Sequence, residues 1–114
     1  MEIKTEDYKV WYDPETETVT CQGSLRLSGM TEYGPIVDLL SEVADQQPPK
    51  IVLDLRQLEF LNSSGINILS KFVIKVRQQK NIPMIVQGSK GIPWQGKSLK
   101  NLQRLMPTLQ LELE

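Results

Sequence analysis

Residues 51–55, Ile51-Val52-Leu53-Asp54-Leu55, form a short, mostly apolar run between Pro48-Pro49-Lys50 and the polar Arg56-Gln57. Such a run predicts a strand covered on both faces, the habit of mixed or parallel sheets rather than of isolated hairpins. A parallel neighbour needs a crossover of a dozen residues or more, and the flanking segments supply them. Upstream, Pro35 opens a helix in which Ile36, Leu39, Leu40, Val43 and Ala44 recur at helical spacing to about Asp45. Downstream, Ile66, Leu69, Phe72, Val73 and Val76 form one stripe of a helix from Ser63 to about Gln79. Ile74 falls off that stripe, on the flank of Asn67 and Ser70.

The remaining segments extend the pattern. Tyr8–Tyr12 and Thr18–Leu27 read as two strands joined by the turn Asp13-Pro14-Glu15-Thr16, with Val19, Cys21 and Leu25 facing inward. Gly23 interrupts the second strand and predicts a bulge or a close backbone approach. Residues 28–34 read as a loop. Pro83–Gln87 reads as a strand ended by Gly88, and Ser89–Gly96 as a long loop. Ser98 then caps a helix carrying Leu99, Leu102, Leu105 and Met106, and Leu109–Leu113 alternates like an edge strand. The order β-β-α-β-α-β-α-β predicts one α/β domain over residues 1–114. An N-terminal hairpin leads into a mixed, largely parallel sheet with helices mainly on one face.

Composition narrows the function. Thirteen basic residues against fourteen acidic ones give no field that would attract nucleic acid or an anionic membrane. There is no histidine, which removes the commonest general base and His-ligated metal sites. The single cysteine, Cys21, forms no internal disulfide and reads as a buried thiol. No cofactor or metal is expected. The N-terminus lacks a signal-peptide core and no run approaches the roughly 18 apolar residues of a membrane span, so a cytoplasmic protein is expected. Asp54 and Glu59 lie in unlike settings and do not read as an acid–base pair. Gly88-Ser89-Lys90-Gly91 lacks phosphate-loop spacing.

The strand Ile51–Leu55, the loop residues Phe60-Leu61-Asn62 and the helix start Ser63-Ser64-Gly65-Ile66 together resemble the signature of the STAS domain (sulphate transporter and anti-sigma-factor antagonist). The element order matches across nearly the whole chain. The resemblance implies a non-catalytic regulator that acts by partner switching. A switch-type serine kinase would phosphorylate Ser63, a PP2C-type phosphatase would reverse it, and the free form would bind the kinase or another downstream regulator. Ser64 and Gly65 would support the turn. Asn62 stands where the family carries aspartate; it keeps a capping oxygen and loses the charge. The alternative the resemblance allows is a non-phosphorylated subunit docked in a larger assembly, such as a membrane transport system.

Further partner contacts are expected at Met30 and Tyr33, which otherwise anchor their loop, and at an apolar patch of Leu61, Ile66 and Ile74 around the serines. Trp94 either meets a partner or covers the end of the sheet. The chain stops at Glu114 without the family's final helix. The surface that helix covers elsewhere is an expected place for homodimer formation or docking. Lys71 lies too far along its helix to activate Ser63 as a nucleophile.

Overall fold

The computed structural model describes residues 1–79 and 82–114. Its six-stranded sheet has its strands in sequence order. Strands β1 (Glu2–Lys4), β2 (Tyr8–Asp13) and β3 (Thr18–Leu25) pair antiparallel, and β4 (Ile51–Leu61), β5 (Met84–Gly88) and β6 (Gln110–Leu113) extend the sheet in parallel from β3. Helices α1 (Gly29–Asp45), α2 (Ser63–Gln78) and α3 (Gln95–Leu105) are the three crossovers. They lie side by side in one layer, α1 against α2 and α2 against α3.

The core forms between that layer and one sheet face. Alternation puts Val10, Tyr12, Val19, Cys21, Leu25, Ile51, Leu53, Leu55, Met84 and Val86 inward, against Ile36, Leu39, Val43, Leu69, Phe72 and Val76. The opposite face carries no layer among the described residues, so the strand Ile51–Leu55 is covered by helices on one face only, not on both as its apolar run predicts. Neighbouring positions across it read Trp11, Thr20, Asp54, Gln87 and Glu112 from β2 to β6. Complete burial pushes the Cys21 thiol up to about 12, with Asp54 adding to the effect, so this thiol is inert.

Several boundaries differ from the sequence reading, each for a local reason. Strand β1 is an additional edge strand; with Ile3 as its sole apolar residue it carries too little pattern to be seen. Strand β3 ends at Leu25 rather than Leu27. Helix α1 begins at Gly29, not at Pro35, which lies inside it. Its opening turns are held by Glu32, whose Oε2 accepts the Ser28 N–H at 2.9 Å, and by the buried Tyr33. Proline removes one helical hydrogen bond, and burial of Tyr33 outweighs that loss.

The largest difference is β4, which runs eleven residues rather than five. Its register against β3 slips twice, between Thr20 and Gln22 and between Gly23 and Ser24. Each slip inserts an extra residue in β4 and breaks the alternation, so Arg56–Phe60 looks like a loop. Gly23 sits at φ +90°, where a Cβ would strike the Asp7 carbonyl, as a close backbone approach requires. Strand β5 pairs with β4 only through Asp54. Beyond that point Gln95 and Trp94 replace a strand. The fully buried Gln95 donates through Nε2 to the Leu55 and Leu58 carbonyls at 2.7 and 3.0 Å, and its Oε1 accepts the Ser89 N–H at 2.7 Å. The Trp94 indole N–H also reaches the Leu58 carbonyl, at 3.0 Å. Helix α3 therefore starts at Gln95, and Ser98 lies within it rather than capping it.

Candidate functional site

Strand β4 delivers Asn62 to the end of the sheet, where α2 begins. Asn62 has extended backbone angles, and its Oδ1 accepts the Gly65 N–H at 2.9 Å, so the asparagine rather than either serine caps the helix. The same oxygen accepts the Tyr33 hydroxyl at 2.7 Å, and the amide nitrogen donates to the Leu27 carbonyl at 2.8 Å. That last bond needs an N–H donor and is closed to a carboxylate. The Asn62 backbone N–H donates to the Leu25 carbonyl at 3.3 Å, and the Tyr33 hydroxyl also reaches that carbonyl, at 3.3 Å. The end of β3, the start of α1 and the start of α2 thus meet at one side chain. Burial raises the Tyr33 pKa, keeping the phenol a neutral donor.

Ser63 follows the cap directly. It is exposed, and its hydroxyl makes no hydrogen bond among the described residues. Ser64 is half-buried beside it. Gly65 is buried: a Cβ there would strike the Leu61 side chain and come within 2.7 Å of the Tyr33 oxygen, so the helix can approach the sheet only with glycine. The first turn of α2 contains no acidic side chain, so the helix dipole and free N–H groups at Ser63 face no competing anion of their own element.

The other expected contact residues separate. Met30 is 52 % exposed at the start of α1. Ile66 is half-buried and packs on the core. Ile74 is exposed as its spacing predicts, yet it lies eleven positions beyond Ser63, about 16 Å along the helix. Leu61 and Tyr33 are corrected outright: both are buried, Leu61 because it ends the inward row of β4 and Tyr33 because it anchors Asn62. The expected patch of Leu61, Ile66 and Ile74 does not form. Trp94 is spent on the bulged half of β4, the sheet-covering alternative.

Two residues missed in the sequence lie near the serine. Phe60 is 38 % exposed, and the Arg26 guanidinium stacks over its ring at 4.6 Å. An arginine on an aromatic face is a common anchor at protein interfaces. Only the slipped register of β4 brings them together, with Ser24 opposite Phe60, and no local pattern encodes that.

Among the described residues no three Cys, Asp or Glu side chains cluster to hold an ion. The half-buried Asp54 belongs to an ion pair on the open sheet face, with Arg56 Nη2 at 2.9 Å from its Oδ2. Burial pushes its carboxyl up, but the Arg56 hydrogen bonds and charge prevail and hold it below the ordinary carboxylate value. Lys71 Nζ rests 4.0 Å from the Met30 sulfur, turned to solvent. No described helix is long and apolar enough to cross a membrane.

Comparison with known proteins places this geometry. The fold is similar to a chain in the crystal structure of the diguanylate cyclase SiaD in complex with its activator SiaC from Pseudomonas aeruginosa, with a TM-score of 0.74 at 12 % identity over 100 % of this chain and 99 % of that one. It is also similar to an anti-sigma factor antagonist from Mycobacterium paratuberculosis, with a TM-score of 0.63 at 21 % identity over 96 % and 82 % of the two chains. The Bacillus cell fate determinant SpoIIAA in its phosphorylated form gives a TM-score of 0.56 at 19 % identity over 86 % and 85 %. No curated protein matches the sequence. The STAS domain family model matches residues 32–95, more than half of the chain and the whole stretch from Tyr33 through the Asn62 cap to Gln95, and the chain belongs to the STAS domain family.

Proposed function

We propose that this chain is a non-catalytic cytoplasmic regulator of the anti-sigma-factor-antagonist type, switched between partners by reversible phosphorylation of Ser63. A switch-type serine kinase adds the phosphate and a PP2C-type phosphatase removes it. The observation that carries the reading is that Ser63 is exposed at the first position of α2 while Asn62 does the capping. Its hydroxyl can be modified without dismantling the turn. A phosphate brings a charge of about −1.5 to −2, which the helix N-terminus favours. The fold therefore stays as it is and the change is felt at the surface. There Met30 and the Arg26–Phe60 stack offer the free form an apolar and cationic contact. Burying a dianion against a partner fitted to the neutral hydroxyl disfavours binding.

The similar structures give this reading its context: one is SpoIIAA in a phosphorylated form, another a complex of a cyclase with its activator. The docking-subunit alternative is favoured by one observation, the Asn62 amide bond to Leu27 in place of the family's aspartate.

Partner affinity measured by calorimetry on Ser63→Ala and Ser63→Asp tests the switch, using the downstream protein that co-purifies with the chain from its host. The alanine variant is expected to bind as tightly as unphosphorylated protein and the aspartate variant at least about tenfold more weakly, about 1.4 kcal/mol. Equal affinities would favour the permanent docking subunit.

A further inference from the structure

Helices α1 and α2 run side by side, both against the strand direction, and leave a groove of about 220 Å³ lined by Met30, Val37, Ser41, Ile68, Lys71 and Phe72. Two of the large exposed hydrophobic side chains, Met30 and Ile74, stand along the same pair of helices. Charge is segregated across the groove. Helix α1 carries Glu32, Asp38, Glu42 and Asp45 and no basic residue, whereas α2 carries Lys71, Lys75 and Arg77 and no acidic one. One ion pair crosses between them, Lys75 to Asp45 at 3.0 Å. Asp38, Glu42 and Lys71 are exposed and have no ion-pair partner among the described residues. At about 100° per residue, Asp38, Glu42 and Asp45 share the outward side of α1, and Lys71, Ile74 and Gln78 the outward side of α2.

We propose that this face is the interface of a two-fold homodimer whose axis runs along the α1–α2 groove. An occupant of single-signed charge is attracted by one wall and repelled by the other. A second copy of the chain carries both signs at the required spacing. Rotation by half a turn about the groove sets each acidic α1 over the partner's basic α2, twice by symmetry. An axis lying across the helices would instead stack α1 on α1, acid on acid, so the charge pattern selects between the two arrangements. Helices of 17 and 16 residues are about 25 Å long, and two of them about 10 Å apart present about 500 Å² of flat footprint. Interlocking side chains bring this toward the about 800 Å² per partner of a specific interface. Because the axis runs along the helices, the two Ser63 sites come to the same end of the dimer. The dimer stands on the helix charges and the groove, whether or not Ser63 is phosphorylated.

Sedimentation velocity on three proteins tests it. The wild-type chain is expected to dimerise with concentration. Lys71→Glu with Gln78→Glu makes both outward helix faces acidic. Asp38→Lys with Glu42→Lys makes α1 basic to match α2. All four positions are exposed, and far-UV circular dichroism checks that each variant is folded. Each double variant alone is expected to lose at least tenfold in dimer affinity, and an equimolar mixture of the two to recover a heterodimer. A wild-type chain that stays monomeric to about 1 mM overturns the proposal. So does a dimer that survives both variants, a mixture that fails to associate, or a monomeric chain whose groove takes up an unrelated protein.

Discussion

The amide nitrogen of Asn62 donates to Leu27 while its oxygen accepts from Tyr33 and Gly65, so this one side chain orients the segment on which Ser63 stands. Aspartate there keeps the two accepted bonds and sets a carboxylate oxygen against the Leu27 carbonyl. Asn62→Asp is therefore expected to lose about 1–3 kcal/mol in urea unfolding, with an unchanged midpoint contradicting the clamp. Tyr33→Phe removes one of the bonds to Asn62 and is expected to cost about 1 kcal/mol. Ser63→Ala, whose hydroxyl supports nothing, should stay within about 0.5 kcal/mol of wild type. At this scale the sequence was legible where the chemistry is local: asparagine, serines and glycine at a helix start announce a cap. Tyr33 was not, because its partner lies 29 residues away and only the fold joins them.

Among the elements, β4 is where pattern and structure part. Its apolar first half was legible as a buried strand. Its second half was not, because two extra residues interrupt the alternation and the missing neighbour on the β5 side is replaced by side chains. Gln95 looks like an ordinary polar residue near a loop, yet it is fully buried and satisfies two carbonyls and one N–H. Gln95→Leu leaves the Leu55 carbonyl and the Ser89 N–H without this partner, while Trp94 still reaches the Leu58 carbonyl, and is expected to destabilise by at least about 2 kcal/mol in chemical denaturation; a near-neutral effect would contradict its role as a stand-in for a strand. On the open side of the same strand, Arg56 holds the Asp54 carboxyl below its ordinary value. The pair's stabilisation is therefore present above the unfolded-state pKa, about 4, and is lost as the pH falls through the lowered value. Arg56→Gln is expected to flatten that acid limb when unfolding is followed from pH 6 to pH 2, and an unaltered limb would contradict the assignment.

For the whole molecule, element order was the most legible property. Strands separated by amphipathic helices dictate parallel pairing through crossovers, and a sheet with all three helices on one face follows. The edge strand β1 escaped because three residues with one apolar side chain carry no period. This architecture gathers the C-terminal end of β4, the start of α1 and the start of α2 at one end, and there Ser63 lies exposed. Partner switching requires that this end change charge while the rest holds still. Mass spectrometry of the chain purified from its host under phosphatase inhibition, reading the tryptic peptide that contains Ser63 before and after phosphatase treatment, tests that claim most directly. The account predicts a phosphate on Ser63, absent from Ser64, and removed by the phosphatase. A peptide that stays unmodified when the chain is incubated with ATP and the kinase that binds it, or a phosphate confined to another residue, would contradict it.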